Sequence, residues 1–289
     1  FQLDPRLVRR RAGRAAAGYA SVDTLAREIS RRMAERLDYI RIEPKRILDL
    51  GCGPGADLAA FAERYPGIPR IAIDSAPAML AQARGETGLL KRLLRLGKPA
   101  EPEFLCADAI ALPLARGSVS IAWSNLMLQW LHDPLPALKE IHRVLDVGGM
   151  VMFSTLGPDT LKELRASLPP SEAEHLHRFI DMHDLGDALV GAGFSDPVMD
   201  MEILTVTYTK LDDLFHDLRA SGSANAAVSR PRGLVGKDHW HTLRAGYEQL
   251  RRDGRLPATV EVVYGHAWKA APKVAEDGRA IVRFERPPR

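Results

Sequence analysis

The chain has 289 residues, 46% of them hydrophobic and 27% charged, with a formal net charge of +3, a composition that fits a globular protein with room for one large domain or two small ones. No apolar run approaches the length of a spanning helix, and the basic amino-terminal stretch lacks the apolar core of a secretory signal, so neither a membrane span nor export is expected. Only two cysteines are present, Cys52 and Cys106, and none of the nine histidines falls at the His-x-x-x-His spacing, which predicts a reducing, cytoplasmic setting and no bound metal.

Residues 4–17 carry Arg6, Arg9, Arg10, Arg11 and Arg14 among alanines, and Leu25, Ile29, Met33 and Leu37 recur every four residues. This predicts two helices ahead of any sheet, within residues 1–40, with Tyr19 in the turn between them. Arg46 to Leu50 reads as a buried strand running into the glycine turn Gly51-Cys52-Gly53-Pro54-Gly55, with a helix opening at Ala56. Alternating units follow: strand Arg70 to Asp74, helix Ala78 to Arg84, a Lys- and Arg-rich helix end and loop over Gly85 to Pro102, strand Glu103 to Ala107, strand Val119 to Trp123, helix Leu135 to Leu145 and strand Gly149 to Ser154. Strands alternating with helices predict a doubly wound, parallel α/β sheet. Beyond it, Asp184 stands as the N-cap of a helix over Leu185 to Val190, which sets aside His183 and Asp184 as an acid–base pair. Two late strands, Asp200 to Thr209 and Thr259 to Lys269, flank helical residues 210–255, which contain a Ser221–Asn225 turn and a basic Arg230–Gly233 elbow. Residues 1–270 are expected to form one domain and residues 271–289 a peripheral tail.

The glycine turn is built for a ligand, because glycines leave the backbone free to turn tightly and approach what lies over it. Gly51-x-Gly53-x-x-Ala56 satisfies a dinucleotide fingerprint, but Asp49 sits two residues before it. A carboxylate there repels a pyrophosphate and suits a cation. Asp74 and Asp108 close the next two strands, so three acids fall where ligands gather in such sheets, at the carboxyl ends of the strands.

The pattern Asp49-x-Gly51-x-Gly53-x-Gly55 resembles motif I of the class I S-adenosylmethionine-dependent methyltransferases. That resemblance implies a Rossmann-like, doubly wound sheet of seven strands, the last antiparallel, with a helical insertion (about 210–255) between the last two acting as an acceptor-binding lid. It implies S-adenosylmethionine as cofactor. Gly51, Cys52, Gly53 and Gly55 would form the turn, Asp49 would meet the ammonium, Asp74 and Ser75 the ribose, and Met79, Asp108 and Ala109 the adenine. Asn125 and Met127 would lie near the methyl group. Tyr19, Gln129 and Trp130 would face the acceptor, orienting it rather than removing a proton.

A narrower likeness covers Leu156 to Arg165, His177 to Leu189, Ala192 to Phe194, Leu256 to Thr259 and Val262 to Lys269. These stretches are similar to the biotin-pathway malonyl-acyl-carrier-protein O-methyltransferase family. The sequence departs from that family at Ala12, before Gly13-Arg14, where an aromatic residue is common, and at Ala20, after Tyr19, where Asp is common. The carboxyl-terminal signatures are shared with assembly factors of respiratory complex I. Three readings therefore stand at this point: methylation of the free carboxylate of malonyl-acyl carrier protein, modification of a protein side chain, and a cofactor-binding scaffold without transfer activity. For an acidic carrier protein, Arg230, Arg232 and Lys237, with the amino-terminal arginines, would supply a basic rim; no nucleic-acid partner is expected.

Overall fold

A computed structural model describes residues 1–85, 101–169, 174–233 and 236–272, so most of the predicted 85–102 loop and of the 271–289 tail lies outside the described residues. The strands are β1 (Ile47–Leu50), β2 (Arg70–Asp74), β3 (Glu103–Cys106), β4 (Val119–Asn125), β5 (Leu145–Leu156), β6 (Ser195–Tyr208) and β7 (Leu256–Trp268). They form one seven-stranded sheet in the order β3-β2-β1-β4-β5-β7-β6. The first five strands are mutually parallel, while β7 runs antiparallel to both β5 and β6.

Period-two alternation sorts the strand residues into two cores. Leu48, Leu50, Ile71, Ile73 and Val151 pack on one face against α5 (Leu135–Val144) and α7 (Met182–Gly191). Ile47, Ile121, Trp123 and Met152 pack on the other, against Ile29 and Met33 of α2 (Thr24–Arg36) and Phe61 of α3 (Leu58–Arg64). Helix α1 (Pro5–Ala15) lies instead against α4 (Pro77–Arg84), where Ala15 and Ala16 meet Ala76 and Met79. The insertion between β6 and β7 holds α8 (Leu211–Ala220) and α9 (Lys237–Glu248), which share a third core with Leu164 of α6 (Lys162–Ser167).

Several boundaries differ from the sequence reading, β7 for one beginning at Leu256 rather than Thr259. Strand β5 begins at Leu145 rather than Gly149, because the Asp146–Gly149 turn is drawn into the sheet: Gly148 N–H donates to Lys269 O at 2.8 Å and Lys269 N–H to Gly149 O at 2.8 Å. Strand β6 begins at Ser195, with a register shift before Val198 that breaks the alternation by which strands are read. Helix α7 is capped by Asp181, not Asp184: an Asp181 oxygen accepts from His183 N–H at 2.8 Å, and Asp184 lies inside the first turn. Asp181 has the β-region backbone of an N-cap, which Asp184 inside the helix lacks.

Gly265 marks the tightest point of the sheet, paired to Phe153 of β5 on one side and Met199 of β6 on the other. A Cβ there would stand 2.7 Å from Phe153 Cε1 and 2.9 Å from Met199 Sδ, and the Phe153 ring is fully buried. Gly265→Ala is expected to cost about 1–3 kcal/mol by overpacking. Thermal denaturation should register a loss of roughly 2–4 °C per kcal/mol for a chain of this size. Adding Phe153→Leu should make the double variant less destabilised than the sum of the two single changes, since the pair is in contact; simple additivity would show that the ring is not what excludes the methyl group.

Candidate active site

Strand β1 lies between β2 and β4, and the chain order reverses across β1 and β4, so their carboxyl ends open a crevice. The glycine turn forms its floor. Gly51 has φ +77°, and a Cβ on it would fall 2.5 Å from Met127 Cβ, so the loop after β4 seats Met127 directly on a residue without a side chain. Gly51 and Cys52 N–H both donate to Ile73 O, at 2.8 and 3.1 Å. Asp74 completes the tie: one carboxylate oxygen accepts from Gly53 N–H at 3.0 Å and the other from Ala76 N–H at 2.7 Å, joining the turn to the start of α4.

Two further carboxylates lie behind this floor. Asp57 precedes α3 but makes no cap bond; its oxygens accept from Ser30 Oγ of α2 at 2.6 Å and Trp123 Nε1 of β4 at 2.7 Å, and Asn125 adds a third donor. Asp49 is 2% exposed, and its Oδ2 meets no donor among the described residues. Burial first, then the charges of Asp57 and Asp74, raise the Asp49 carboxyl well above its ordinary range. Burial likewise raises Asp57 and Asp74, against the donors that favour their ionised forms. Asp57's role is not legible from residue types, because a residue at an N-cap position ordinarily spends its side chain on the helix.

A cavity of about 1480 Å³ spreads from this floor to the insertion. Of the predicted cofactor residues, Gly51, Gly53, Asp74, Ser75, Met79, Asp108, Ala109, Asn125 and Met127 line it, as do Tyr19, Gln129 and Trp130. Asp49, Cys52 and Gly55 do not. Cys52 packs into an apolar cluster with Leu58, Ala72 and Leu80, and burial pushes its thiol pKa up. Gly55 serves packing: a Cβ there would stand 3.0 Å from Leu58 Cδ1 and 3.1 Å from Ala83 Cβ. Arg230, Arg232 and Lys237 also lie off the lining, Arg230 half-buried and the other two exposed.

The acceptor end is held by internal bonds. Asn125 donates to Ala26 O of α2 at 3.1 Å and accepts from Ser154 Oγ at 2.7 Å. Leu126 takes a left-handed backbone (φ 52°), and the Gln129 amide braces that turn by donating to Leu126 O at 2.7 Å while accepting from Thr155 Oγ1 at 3.2 Å. Tyr19 sits near Asp23, Asp57 and Asp74; burial and then those charges push its phenol up to about 12. His177, quoted above only as part of a family-like stretch, also lines the cavity, with Nε2 2.8 Å from Gln129 O. A carbonyl only accepts, so Nε2 carries the proton and the buried, unpartnered Nδ1 does not. Burial pushes this ring down to about 4, and Trp130, Phe179 and Phe1 surround it with centroids at 5.4, 4.7 and 5.0 Å. His183 is elsewhere, 85% exposed, with Nδ1 2.8 Å from Asp181. Among the described residues no group of three His, Cys, Asp or Glu is placed to hold a metal.

The floor therefore suits a ligand that brings a cation toward Asp49, a diol to Asp74 and an aromatic ring to Met79 and Ala109, groups that S-adenosylmethionine presents together. Each Asp74 oxygen retains an acceptor site after its backbone bond.

Residues 48–153 match the family model for a methyltransferase domain. Solved structures with the same fold include the YcgJ protein of Bacillus subtilis (TM-score 0.56, 13% identity, 84% of this chain and 99% of that one) and an S-adenosylmethionine-dependent methyltransferase of Thermotoga maritima (0.51, 18%, 91% and 99%). Much nearer in sequence are proteins named malonyl-acyl-carrier-protein O-methyltransferase. Those of Gallionella capsiferriformans and Laribacter hongkongensis are each 49% identical, covering 98% of this chain and 97% of the relative, and that of Methylovorus is 46% identical over 98% and 96%. With nearly half its residues shared along almost its full length, the chain belongs to the malonyl-acyl-carrier-protein O-methyltransferase family.

Proposed function

We propose that this protein transfers a methyl group from S-adenosylmethionine to the free carboxylate of a malonyl thioester carried on acyl carrier protein. The observation that carries the reading is the near full-length kinship with relatives of that name. Bound over the glycine turn, S-adenosylmethionine supplies an electrophilic methyl group on a positively charged sulfur. An acceptor carboxylate is already ionised at neutral pH, so no base is required and the work left to the protein is positioning and exclusion of water. Tyr19, held protonated, has an O–H to donate to the acceptor or to ordered water and is no base near neutral pH. Gln129 holds the turn that carries Met127 and Trp130, and Trp130 walls the acceptor end.

Residues 210–255 act as the lid in this reading. Leu214, Phe215 and Leu218 of α8 and Trp240 of α9 line the cavity, and Trp240 meets Phe215 edge to face at 5.5 Å. The exposed Arg232 and Lys237 lie on the same insertion, where an acidic carrier would dock. Residues 1–270 function as one methyltransferase domain.

Cofactor binding carries a proton signature. In the free protein the Asp49 carboxyl is raised, and a neighbouring ammonium favours its ionised form, so binding releases a proton at pH values below the free-protein pKa and affinity rises with pH until that pKa is passed. Calorimetry in two buffers of different ionisation enthalpy should detect that release at mildly acidic pH. Asp49→Asn should abolish it and weaken binding by about 1–3 kcal/mol, as for a lost charge-assisted bond. An unchanged proton count in the variant would remove Asp49 from the site.

The transfer itself is tested by incubating labelled S-adenosylmethionine with malonyl-acyl carrier protein and recovering a base-labile methyl ester. Its rate constant with saturating substrates should stay level from about pH 6 to about pH 9. A single steep ionisation in that range, abolished by His177→Phe, would mean that a base takes part after all.

A further inference from the structure

Helix α1 and the insertion meet along a seam. Asp4 N–H donates to Ala226 O at 2.9 Å, Val228 N–H to Gln2 O at 2.8 Å, and a Cβ on Gly222 would lie 3.3 Å from Arg11 O. Two guanidinium groups are fixed in this seam by backbone carbonyls two residues apart, the first at the end of the Ser221–Asn225 turn: Arg11 Nη1 donates to Asn225 O, and Arg230 Nη1 donates to Ala227 O at 2.8 Å. Each bond occupies only one of the five N–H groups on its fork. The turn itself, Ser221 to Asn225, lines the cavity.

Among the described residues neither charge has a counter-ion. Arg9, on the same helix, pairs with Asp108 at 3.6 Å, and Glu174, whose carboxylate accepts from Ser229 beside Arg230, is paired to Arg178 at 3.0 Å. Among the described residues Arg10, Arg11 and Arg230 form no ion pair with a carboxylate. Their mutual repulsion shows in Arg11, which burial and then the Arg230 and Arg10 charges draw below the usual guanidinium range. Two half-buried forks fixed beside the stretch that lines the cavity, with no carboxylate paired to either among the described residues, are a poor arrangement for stability and a good one for a tetrahedral oxyanion, which takes parallel N–H bonds from arginine.

We propose that Arg11 and Arg230 seat the phosphate of the acceptor's phosphopantetheine arm, with Arg10 adding to the local field. The inference rests on the carrier-protein reading above. The malonyl carboxylate has to reach the methyl donor over Gly51, so the anion left for the rim is the phosphate at the other end of the arm. Arg232 and Lys237, exposed and without such fixing, belong to the carrier's surface rather than to its arm.

The test compares malonyl-phosphopantetheine with malonyl-pantetheine, which differ only in the phosphate. The wild-type protein should show a KM at least tenfold lower for the phosphorylated acceptor, with similar kcat, and inorganic phosphate should compete with that acceptor and not with S-adenosylmethionine. Arg11→Met and Arg230→Met should each raise KM for malonyl-phosphopantetheine severalfold, and together they should erase the preference. Binding of S-adenosylhomocysteine, followed by thermal shift, monitors folding of the variants, and Arg230→Lys should recover only part of the preference because it restores the charge without the fork. Equal KM changes for both acceptors, or a wild type indifferent to the phosphate, would overturn the seat while leaving the methyltransferase reading intact. Failure of the wild-type protein to methylate either thioester, or the carrier-bound form, would instead overturn that reading and the seat with it.

Discussion

Asp49 and Asp57 are buried and Asp74 is half-buried around the glycine turn, with no lysine or arginine paired to any of them among the described residues. Burying an ionised carboxylate costs several kcal/mol unless donors replace the lost water, so the supply of donors decides how the surrounding elements must sit. Asp74 draws on Gly53 and Ala76 N–H, which fixes the glycine turn against α4. Asp57 draws on Ser30 and Trp123, which fixes α2 against β4. Asp49 alone keeps an oxygen without a donor. The two satisfied acids hold the crevice in shape, and the oxygen of the third that meets no donor among the described residues lies behind its floor.

This division explains what could be read from the sequence. The strand ends, the glycine turn and the acids at 49, 74 and 108 announce themselves because their chemistry is local: a strand, a turn and a side chain at a fixed offset. The distinction between Gly51 and Gly55 was not legible, since both take a positive φ, and only the fold shows that one receives Met127 while the other receives Ala83. Asp57 and His177 were missed for the same reason. Their partners, Ser30 and Trp123 for the one and Gln129 for the other, lie 27, 66 and 48 residues away in the chain. Asp181 was passed over for Asp184 because either carboxylate can cap a helix, and the backbone angle that decides between them is not written in residue types.

The amino-terminal arginines show how far a charge run can mislead when it is taken as a single feature. Arg9, itself exposed, pairs at 3.6 Å with Asp108, a residue expected to face adenine. Arg11 turns to the insertion and meets Asn225 O. Successive residues on a helix point about 100° apart, so a run of five arginines in the sequence becomes several separate contacts in space. What the run does collectively is raise the potential along one edge of the cavity, which favours an acidic partner whichever residues touch it.

In the carboxylate-methylation reading, the residues expected to face the acceptor are poor bases, and that would itself sort acceptors. Tyr19 holds its proton up to about pH 12, and the His177 ring, pushed down to about 4, has its Nε2–H committed to Gln129 O. Asp57 and Asp74 are engaged by donors that build the crevice. An alcohol or a protonated amine brought against Tyr19, Gln129 and Trp130 would find no group among those three to take its proton, whereas a carboxylate arrives without one to lose. In that reading acceptors would be sorted by ionisation before any contact with residues 210–255 distinguishes their shapes, and an amide, an indole and a phenol would be enough to receive a carboxylic acid.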